Sequence, residues 1–334
     1  MTIRIAALSA WHVHADEYAR QVNRHAGAQI AVVWDDDAAR GRSWAEKLGV
    51  PFVAELGQIL ADPSIDGVLV CSSTRSHPEV MVAAASAGKH IFTEKVLAIT
   101  LAEAERIAAA VRTAGVRFAI SMPHRCNANN RYAHQAIARG LLGRLASFRF
   151  RNSHNGATGG WLPAHFLDPV PSGGGAMIDL GCHGMYLAAW LFGMPERVTS
   201  VFTKRSGVAV DDLGISVLGY ADGRIASNET GFVTFATPCS LELAGDLGCL
   251  VIGGPDQSVR LRSKQLDDGG KGWHTITDLP PALPHPVDQW LDAIAGTGTI
   301  HFGLSEALEL SALMDAAYAS WRSGAGAVVQ LVRR

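Results

Sequence analysis

The chain has 334 residues. At roughly 150 residues per domain this suggests two domains, with enough buried surface to need no disulfide or metal staple. Apolar residues make up 48% and charged residues 18%, a balance that excludes a disordered chain. With 29 Lys plus Arg against 31 Asp plus Glu, the net charge of −2 carries no electrostatic footprint for nucleic acid or an anionic membrane surface.

The first element is a strand over Thr2–Leu8. The segment 1–15 has the outline of a leader, with Arg4, a short apolar stretch and a small residue. Its apolar core, Ile5 to Trp11, is short and follows a single charge, so it reads as a buried first strand. A helix at Ala15–His25, a strand at Gln29–Trp34, helices at Ala38–Leu48 and Leu56–Ala61, and a strand at Gly67–Cys71 follow. Then come a helix at Pro78–Ala87, a strand at His90–Thr93, a helix at Leu101–Ala114 and a strand at Arg117–Ser121. The strands are continuous apolar runs, as expected when helices cover both faces. Gly49, Gly88 and Gly115 each sit just past a helix. The pattern predicts a doubly wound parallel α/β sheet over residues 1–122.

Beyond residue 122 the pattern changes. A helix at Asn129–Gly140 leads to a strand at Leu145–Arg151, and Gly173-Gly174-Gly175 opens a helix running to about Phe192. From Val198 to Arg262 strand-like runs alternate with Asp-Gly and Gly-Gly turns, which predicts a largely antiparallel sheet. Helices at His285–Ala295 and Leu304–Arg322 and a strand at Ala327–Val332 close an α+β domain over residues 123–334. The five cysteines, Cys71, Cys126, Cys182, Cys239 and Cys249, are odd in number and form no C-x-x-C pair. A disulfide framework or structural zinc site is not expected, and a reducing cytoplasm fits. No apolar run reaches the roughly 18 residues of a membrane span.

The turn after the first strand of a parallel sheet is where helix N–H groups receive a dinucleotide pyrophosphate, usually through G-x-G-x-x-G. Here the turn reads Ser9-Ala10-Trp11-His12-Val13-His14, without a glycine. Small Ser9 and Ala10 allow close backbone approach, whereas Trp11 and His12 crowd it. Asp35, at the end of the second strand, is placed to accept the ribose hydroxyls and repel a 2′-phosphate, favouring NAD over NADP; a solvated Asp35-Asp36-Asp37 helix cap is the other reading. Glu94-Lys95 ends a strand at the ligand-binding edge, or forms an ordinary ion pair. Asp179 and His183 lie four apart on an apolar helix, so they share a face, either as a tuned acid/base pair or as a structural polar pair. His12 and His14 raise the question of metal, but no acidic or cysteine partner sits at ligand spacing, so no metal site is expected.

Together these residues resemble the Gfo/Idh/MocA oxidoreductases, the glucose–fructose oxidoreductase and inositol dehydrogenase group, over nearly the whole chain. The likeness is carried by Val70-Cys71-Ser72-Ser73-Thr74 with His77, Ala87-Gly88-Lys89-His90, Glu94-Lys95, Gly140–Gly143 and the Asp179-x-x-x-His183 helix. The resemblance implies a Rossmann domain followed by an open-sheet domain whose exposed face packs against other subunits, as a homodimer or homotetramer. It makes Lys95 the lysine of a Glu-Lys-Pro signature, with Val96 in place of the proline, and Asp179 and His183 the acid/base pair. Ser72, Ser73, Thr74 and His77 would line the cofactor, although His77 could instead cap the next helix. Arg151, Asn152, His154, Trp161 and His165 lie where the substrate-facing strand and loop should be and suit a polyol, as donors, acceptors and a stacking face. The implied activity is NAD-dependent hydride transfer to or from a secondary alcohol of a sugar, sugar derivative or cyclitol. The alternatives are non-redox elimination or glycoside cleavage through bound NAD, and a non-catalytic dinucleotide or sugar sensor.

Overall fold

A computed structural model describes residues 2–330, so the expected strand end at Leu331 and Val332 lies outside the described residues. The chain divides into two compact units. Met1–Met122 with Pro284–Ser311 make the first, and Pro123–Leu283 with Ala312–Arg334 make the second.

The first unit is built on β1 (Ile3–Leu8), β2 (Ala28–Trp34), β3 (Gly67–Val70), β4 (His90–Thr93) and β5 (Phe118–Ile120), in the order β2-β1-β3-β4-β5 and parallel throughout. A single parallel bridge, Val33 to Phe52, adds a rudimentary strand outside β2. Helices α1 (Ala15–Arg24), α2 (Ala38–Leu48), α3 (Leu56–Ala61), α4 (His77–Ser86) and α5 (Leu101–Ala114) connect the strands. All four residues of β3 are buried, which is why the strand reads as an unbroken apolar run. Helix α5 starts with a capping box, Thr100 receiving the Glu103 N–H while the Glu103 carboxylate reaches back to the Thr100 N–H.

The closing helix α9 (Pro286–Ala295) belongs to this unit, whereas a single cut after residue 122 would leave it in the other. Its apolar face explains the return. Val287, Trp290 and Leu291 are fully buried in one cluster with Ile5, Leu69 and Phe92, and the Trp290 ring lies 5.9 Å from Phe92. The switch point of the sheet is where connections leave β1 and β3 toward opposite sides. The turn after β1 is tied to the end of β3 there by the His12 N–H donating to the Cys71 carbonyl at 3.0 Å.

The second unit carries α6 (Ala128–Ala138), β6 (Leu145–Ser153), the short α7 (Pro169–Ser172), α8 (Cys182–Phe192) and strands β7 (Arg197–Thr203), β8 (Leu213–Gly219), β9 (Ile225–Gly231), β10 (Ser240–Gly245), β11 (Gly248–Gly253), β12 (Ser258–Ser263), β13 (His274–Thr275) and β14 (Ala327–Val328). They form one nine-stranded sheet, β13-β12-β11-β10-β6-β9-β8-β7-β14, antiparallel except for β6 against β9. Burial alternates strictly along β7 and nearly so along β8, as expected of a sheet with one covered face. Phe148, Phe150, Leu218 and Ala226 are buried with α8, while Val201, Ile215, Val217 and Ile225 stand exposed. The last helix, α10 (Leu304–Ser323), divides between the two units; its C-terminal part packs on this sheet, with the Trp321 indole N–H donating to the Phe202 carbonyl.

The helix expected from Gly175 to Phe192 is two pieces. A π-helical turn, Met177–Gly181, runs into α8. Side chains of β9 hold the turn: Asn228 Nδ2 donates to the Gly181 carbonyl at 2.7 Å and Thr230 Oγ1 to the Ala176 carbonyl at 3.1 Å. Periodicity does not reveal such a turn, because Cys182 to Ala188 are all buried and carry no apolar stripe for the one-residue offset to break.

Candidate functional site

In the first unit the site begins where β1 ends. Ser9 stands at φ 69°, the left-handed conformation that glycine usually supplies to this turn. Backbone bonds lock it there. The Ser9 N–H donates to the Trp34 carbonyl at 2.6 Å, and the Ala10 N–H to Asp35 Oδ2 at 2.8 Å. Trp11 is buried, and the Trp11 N–H donates to Ser9 Oγ at 3.2 Å.

Asp35 is turned into the protein. Its side chain has no solvent contact, and four donors fill its oxygens: the N–H groups of Ala10 and Asp37, and Nε and Nη2 of Arg40. Burial pushes its pKa up, but the Arg40 hydrogen bonds and backbone donors outweigh it and hold the carboxyl below its ordinary value. Asp36 remains about half exposed and shares Arg40 at 2.7 Å. Asp37, not Asp35, caps α2, accepting the N–H groups of Ala39 and Arg40.

At the end of β3, Ser72, Ser73 and Thr74 are all buried, and Ser72 Oγ has no hydrogen-bond partner. His77 has a structural setting. Its Nδ1 lies 3.1 Å from the Val96 and Leu97 carbonyls, and its Nε2 lies 3.2 Å from the Ser72 carbonyl. The ring therefore fixes the segment after Lys95 against the end of β3; burial, despite these contacts, pulls its pKa down.

Glu94 and Lys95 follow β4 and are both buried. Glu94 Oε1 receives the Tyr18 hydroxyl at 2.6 Å and lies 2.5 Å from His14 Nδ1, while Oε2 accepts the Lys95 N–H at 2.5 Å. Burial would raise the Glu94 pKa, yet His12, Lys95 and His14 around it hold the carboxyl well below its ordinary value. The Lys95–Val96 peptide is cis.

In the second unit the glycine run is a packing device. An added Cβ on Gly175 would lie 1.9 Å from the Asp211 carbonyl oxygen, and one on Gly174 would lie 2.1 Å from the Tyr318 hydroxyl. Buried Asp211 receives the N–H groups of Gly175 and Met177 and the Tyr318 hydroxyl, each at 2.8 Å. Burial leaves its pKa raised against those bonds.

Asp179 sits half-buried in the π-turn and His183 buried in the first turn of α8. His183 Nδ1 faces the Tyr186 hydroxyl at 2.9 Å, and its ring lies 4.6 Å from that of His124. The His124 N–H donates to the Tyr186 oxygen at 3.2 Å. Tyr186 and His124 were not singled out in the sequence; an i, i+3 His–Tyr pair was the available signal for the first.

His154, just past β6, stacks on Phe232 at 5.0 Å and tilts against exposed Trp161 at 4.6 Å. Its pKa is lowered by burial, opposed by the negative charge of Asp179, which places those two within electrostatic reach. Arg151 and Asn152 are half-buried on β6, opposite Glu229 and Thr230 of β9, and Arg151 Nε has no hydrogen-bond partner. His165 lies in a short 3₁₀ turn, Ala164–Leu167, beside Phe166.

Comparison with known proteins agrees with this architecture. Residues 11–122 match the oxidoreductase family with an NAD-binding Rossmann fold, and residues 130–251 match the GFO/IDH/MocA C-terminal domain. The 1,5-anhydro-D-fructose reductase of Ensifer adhaerens is 27% identical over 68% of this chain and 69% of its own length. The myo-inositol 2-dehydrogenase of Thermotoga maritima is 30% identical over 52% of this chain and 50% of its own, so that alignment spans half of the relative. A levoglucosan dehydrogenase solved with NADH and levoglucosan shares the fold, with a TM-score of 0.86 at 20% identity over 99% of this chain and all of that one. With the parallel sheet, the open sheet and both family matches in place, the chain belongs to the Gfo/Idh/MocA oxidoreductase family.

Proposed function

We propose that the protein is an NAD-dependent oxidoreductase acting on a secondary alcohol of a sugar, sugar derivative or cyclitol. The observation that carries the reading is at the switch point of the first sheet, where Ser72 Oγ is buried without a partner at the end of β3 and a buried lysine follows β4. A dinucleotide placed there gives the orphaned hydroxyl its partner, so the residues fit NAD on this side. Ser73 and Thr74 would continue that wall. Between NAD and NADP, the crowd of carboxylates at the end of β2 disfavours a 2′-phosphate, and Arg40, the cation close by, is already committed to Asp35 and Asp36. With Asp35 filled by four donors, half-exposed Asp36 is the carboxylate placed to accept ribose hydroxyls.

NAD supplies the hydride acceptor. The chain's own residues then have to make the alcohol oxygen anionic. The Lys95 ammonium stabilises the developing alkoxide, and Nε2 of His183 takes the hydroxyl proton while the Tyr186 hydroxyl holds Nδ1. Asp179 favours the imidazolium that results. Arg151, Asn152, His154, Trp161 and His165 supply hydroxyl contacts and a stacking face. The relatives' names, a reductase of an anhydro-sugar, an inositol dehydrogenase and a levoglucosan dehydrogenase, support the substrate class.

The exposed Val201, Ile215, Val217 and Ile225 on the open face of the sheet support assembly with further copies as a homodimer or homotetramer. No described helix is long and apolar enough to cross a membrane, and a cytoplasmic location is part of this proposal.

The test is calorimetric titration of cofactor-stripped protein with NAD and NADP, followed by NADH formation on a panel of sugars and cyclitols. His183→Ala and Lys95→Ala should each reduce turnover at least about a hundredfold while NAD affinity changes little in the first. Absence of binding to either dinucleotide, or unchanged turnover in His183→Ala, overturns the assignment.

A further inference from the structure

The turn after β1 carries a feature that hydride transfer does not use. His12 and His14 stand with one residue between them just before α1, and Glu94 directly follows β4, two strands away in the sheet order. The fold gathers the three: ligand atoms of His12, His14 and Glu94 all lie within 4.8 Å of one another. Sequence spacing could not show the acidic partner, because it arrives from 80 residues away. We propose that His12, His14 and Glu94 form a binding site for one divalent first-row transition ion of the zinc class.

The donor set suits that class. Two imidazoles and one carboxylate are a common three-ligand set for zinc, with a fourth position open to an oxygen donor. A tetrahedral ion with bonds of about 2.0–2.1 Å holds its ligand atoms roughly 3.3 Å apart. His12 Nδ1 is already 3.6 Å from Glu94 Oε1. His14 Nδ1 is closer, at 2.5 Å, and has to withdraw by about 0.8 Å. Its side chain is 46% exposed at the helix start, so this movement disturbs no packed core, and it gives the ion a route in.

His12 Nδ1 accepts the His14 N–H at 3.2 Å, so taking up an ion has to free that single lone pair from the amide as His14 withdraws. The carboxylate is oriented from behind as metal-bound carboxylates are. The Tyr18 hydroxyl donates to Oε1 and itself contacts Ser121 Oγ at 2.7 Å, and the Lys95 N–H donates to Oε2.

The experiment is cobalt chloride titration of chelator-stripped full-length protein, read by visible absorption, with zinc chloride equilibrium dialysis beside it. The expected result is one ion per chain with the intense bands of tetrahedral cobalt, displaced by zinc. His14→Ala, at an exposed position, should keep the native circular dichroism, weaken cobalt affinity at least about tenfold and abolish those bands. His12→Gln and Glu94→Gln should do the same, each checked for fold by thermal melting. Absence of stoichiometric uptake, or bands that persist in folded His14→Ala, overturns the proposal. So do pH-dependent resonances assigned to His12 and His14 in the wild type that added zinc leaves unmoved, since protons then occupy the site.

Discussion

Gly175→Ala probes the segment that delivers Asp179 and His183, and its effect can be worked from distances. The added Cβ would stand 1.9 Å from the Asp211 carbonyl oxygen and 2.8 Å from the Val210 side chain. A relaxed carbon–oxygen contact is about 3.3 Å, so the two backbones must part by roughly 1.4 Å. Neither can do so alone, because three bonds tie them: Gly175 N–H to Asp211 Oδ1 at 2.8 Å, Ala176 N–H to the Asp211 carbonyl at 2.7 Å and Met177 N–H to Asp211 Oδ2 at 2.8 Å. Losing or stretching two of these at about 1–2 kcal/mol each, with overpacking of about 1–3 kcal/mol, gives an expected destabilisation of about 3–7 kcal/mol. Urea unfolding followed by circular dichroism measures it as a shift in midpoint at unchanged slope. Because the displaced backbone leads directly into the π-turn, turnover at saturating substrate should fall with stability even where the variant remains folded. A loss below about 1 kcal/mol with unaltered turnover would refute the claim that the glycine run is there for close packing.

Arg40→Ala removes two hydrogen bonds from buried Asp35 and should cost about 2–4 kcal/mol at neutral pH. Asp35 has a folded pKa below its unfolded value of 3.8, so its stabilisation is present above that pH and is lost as pH falls through the lower folded value. The difference between wild type and Arg40→Ala should therefore shrink in acid, and a constant difference from about pH 7 to about pH 3 contradicts the pairing. Tyr186→Phe removes the hydroxyl facing His183 Nδ1; turnover should fall about tenfold and its pH profile should move, whereas a merely structural role would lower stability and leave the profile in place. Thr100→Ala breaks the capping box of α5 and should cost about 1 kcal/mol in urea unfolding without touching turnover; no loss would mean the box adds nothing beyond Glu103 alone.

The first unit was legible because its information is local. Unbroken apolar runs at β1, β3 and β4 report burial on both faces, and the helices between them carry their own end signals. What escaped is set by contact between distant segments. The return of α9 depends on Trp290 and Val287 finding Phe92 and Ile5, and an amphipathic helix does not announce which sheet it will cover. The π-turn escaped because Asn228 and Thr230, fifty residues on in rough terms, satisfy its carbonyls. Asp35 was readable as an acid at a strand end, but its burial and its four donors were not, since Arg40 could as well have pointed to solvent. The approach of Glu94 to His12 and His14 depends on the strand order and on the path of the turn after β1, neither of which has a local signal.

A glycine-rich turn ordinarily performs three tasks: a left-handed residue for the bend, close approach of backbone to phosphate, and close packing of helix on strand. This chain keeps the first with Ser9, locked at φ 69° by bonds to Trp34 and Asp35. It keeps the third with Ala15 and Ala19, both buried on the inner face of α1. The second is given up. No glycine stands in this turn to bring the backbone closest, Trp11 is buried, and the Ala15 N–H is already bonded to the His12 carbonyl at 3.0 Å. Any positive potential offered to a phosphate at this turn must come less from bare N–H groups and more from side chains. On the proposed reading, His12 and His14, or an ion bound between them and Glu94, would supply it. The left-handed bend at Ser9 would then be kept while the charge beside it comes from two histidines.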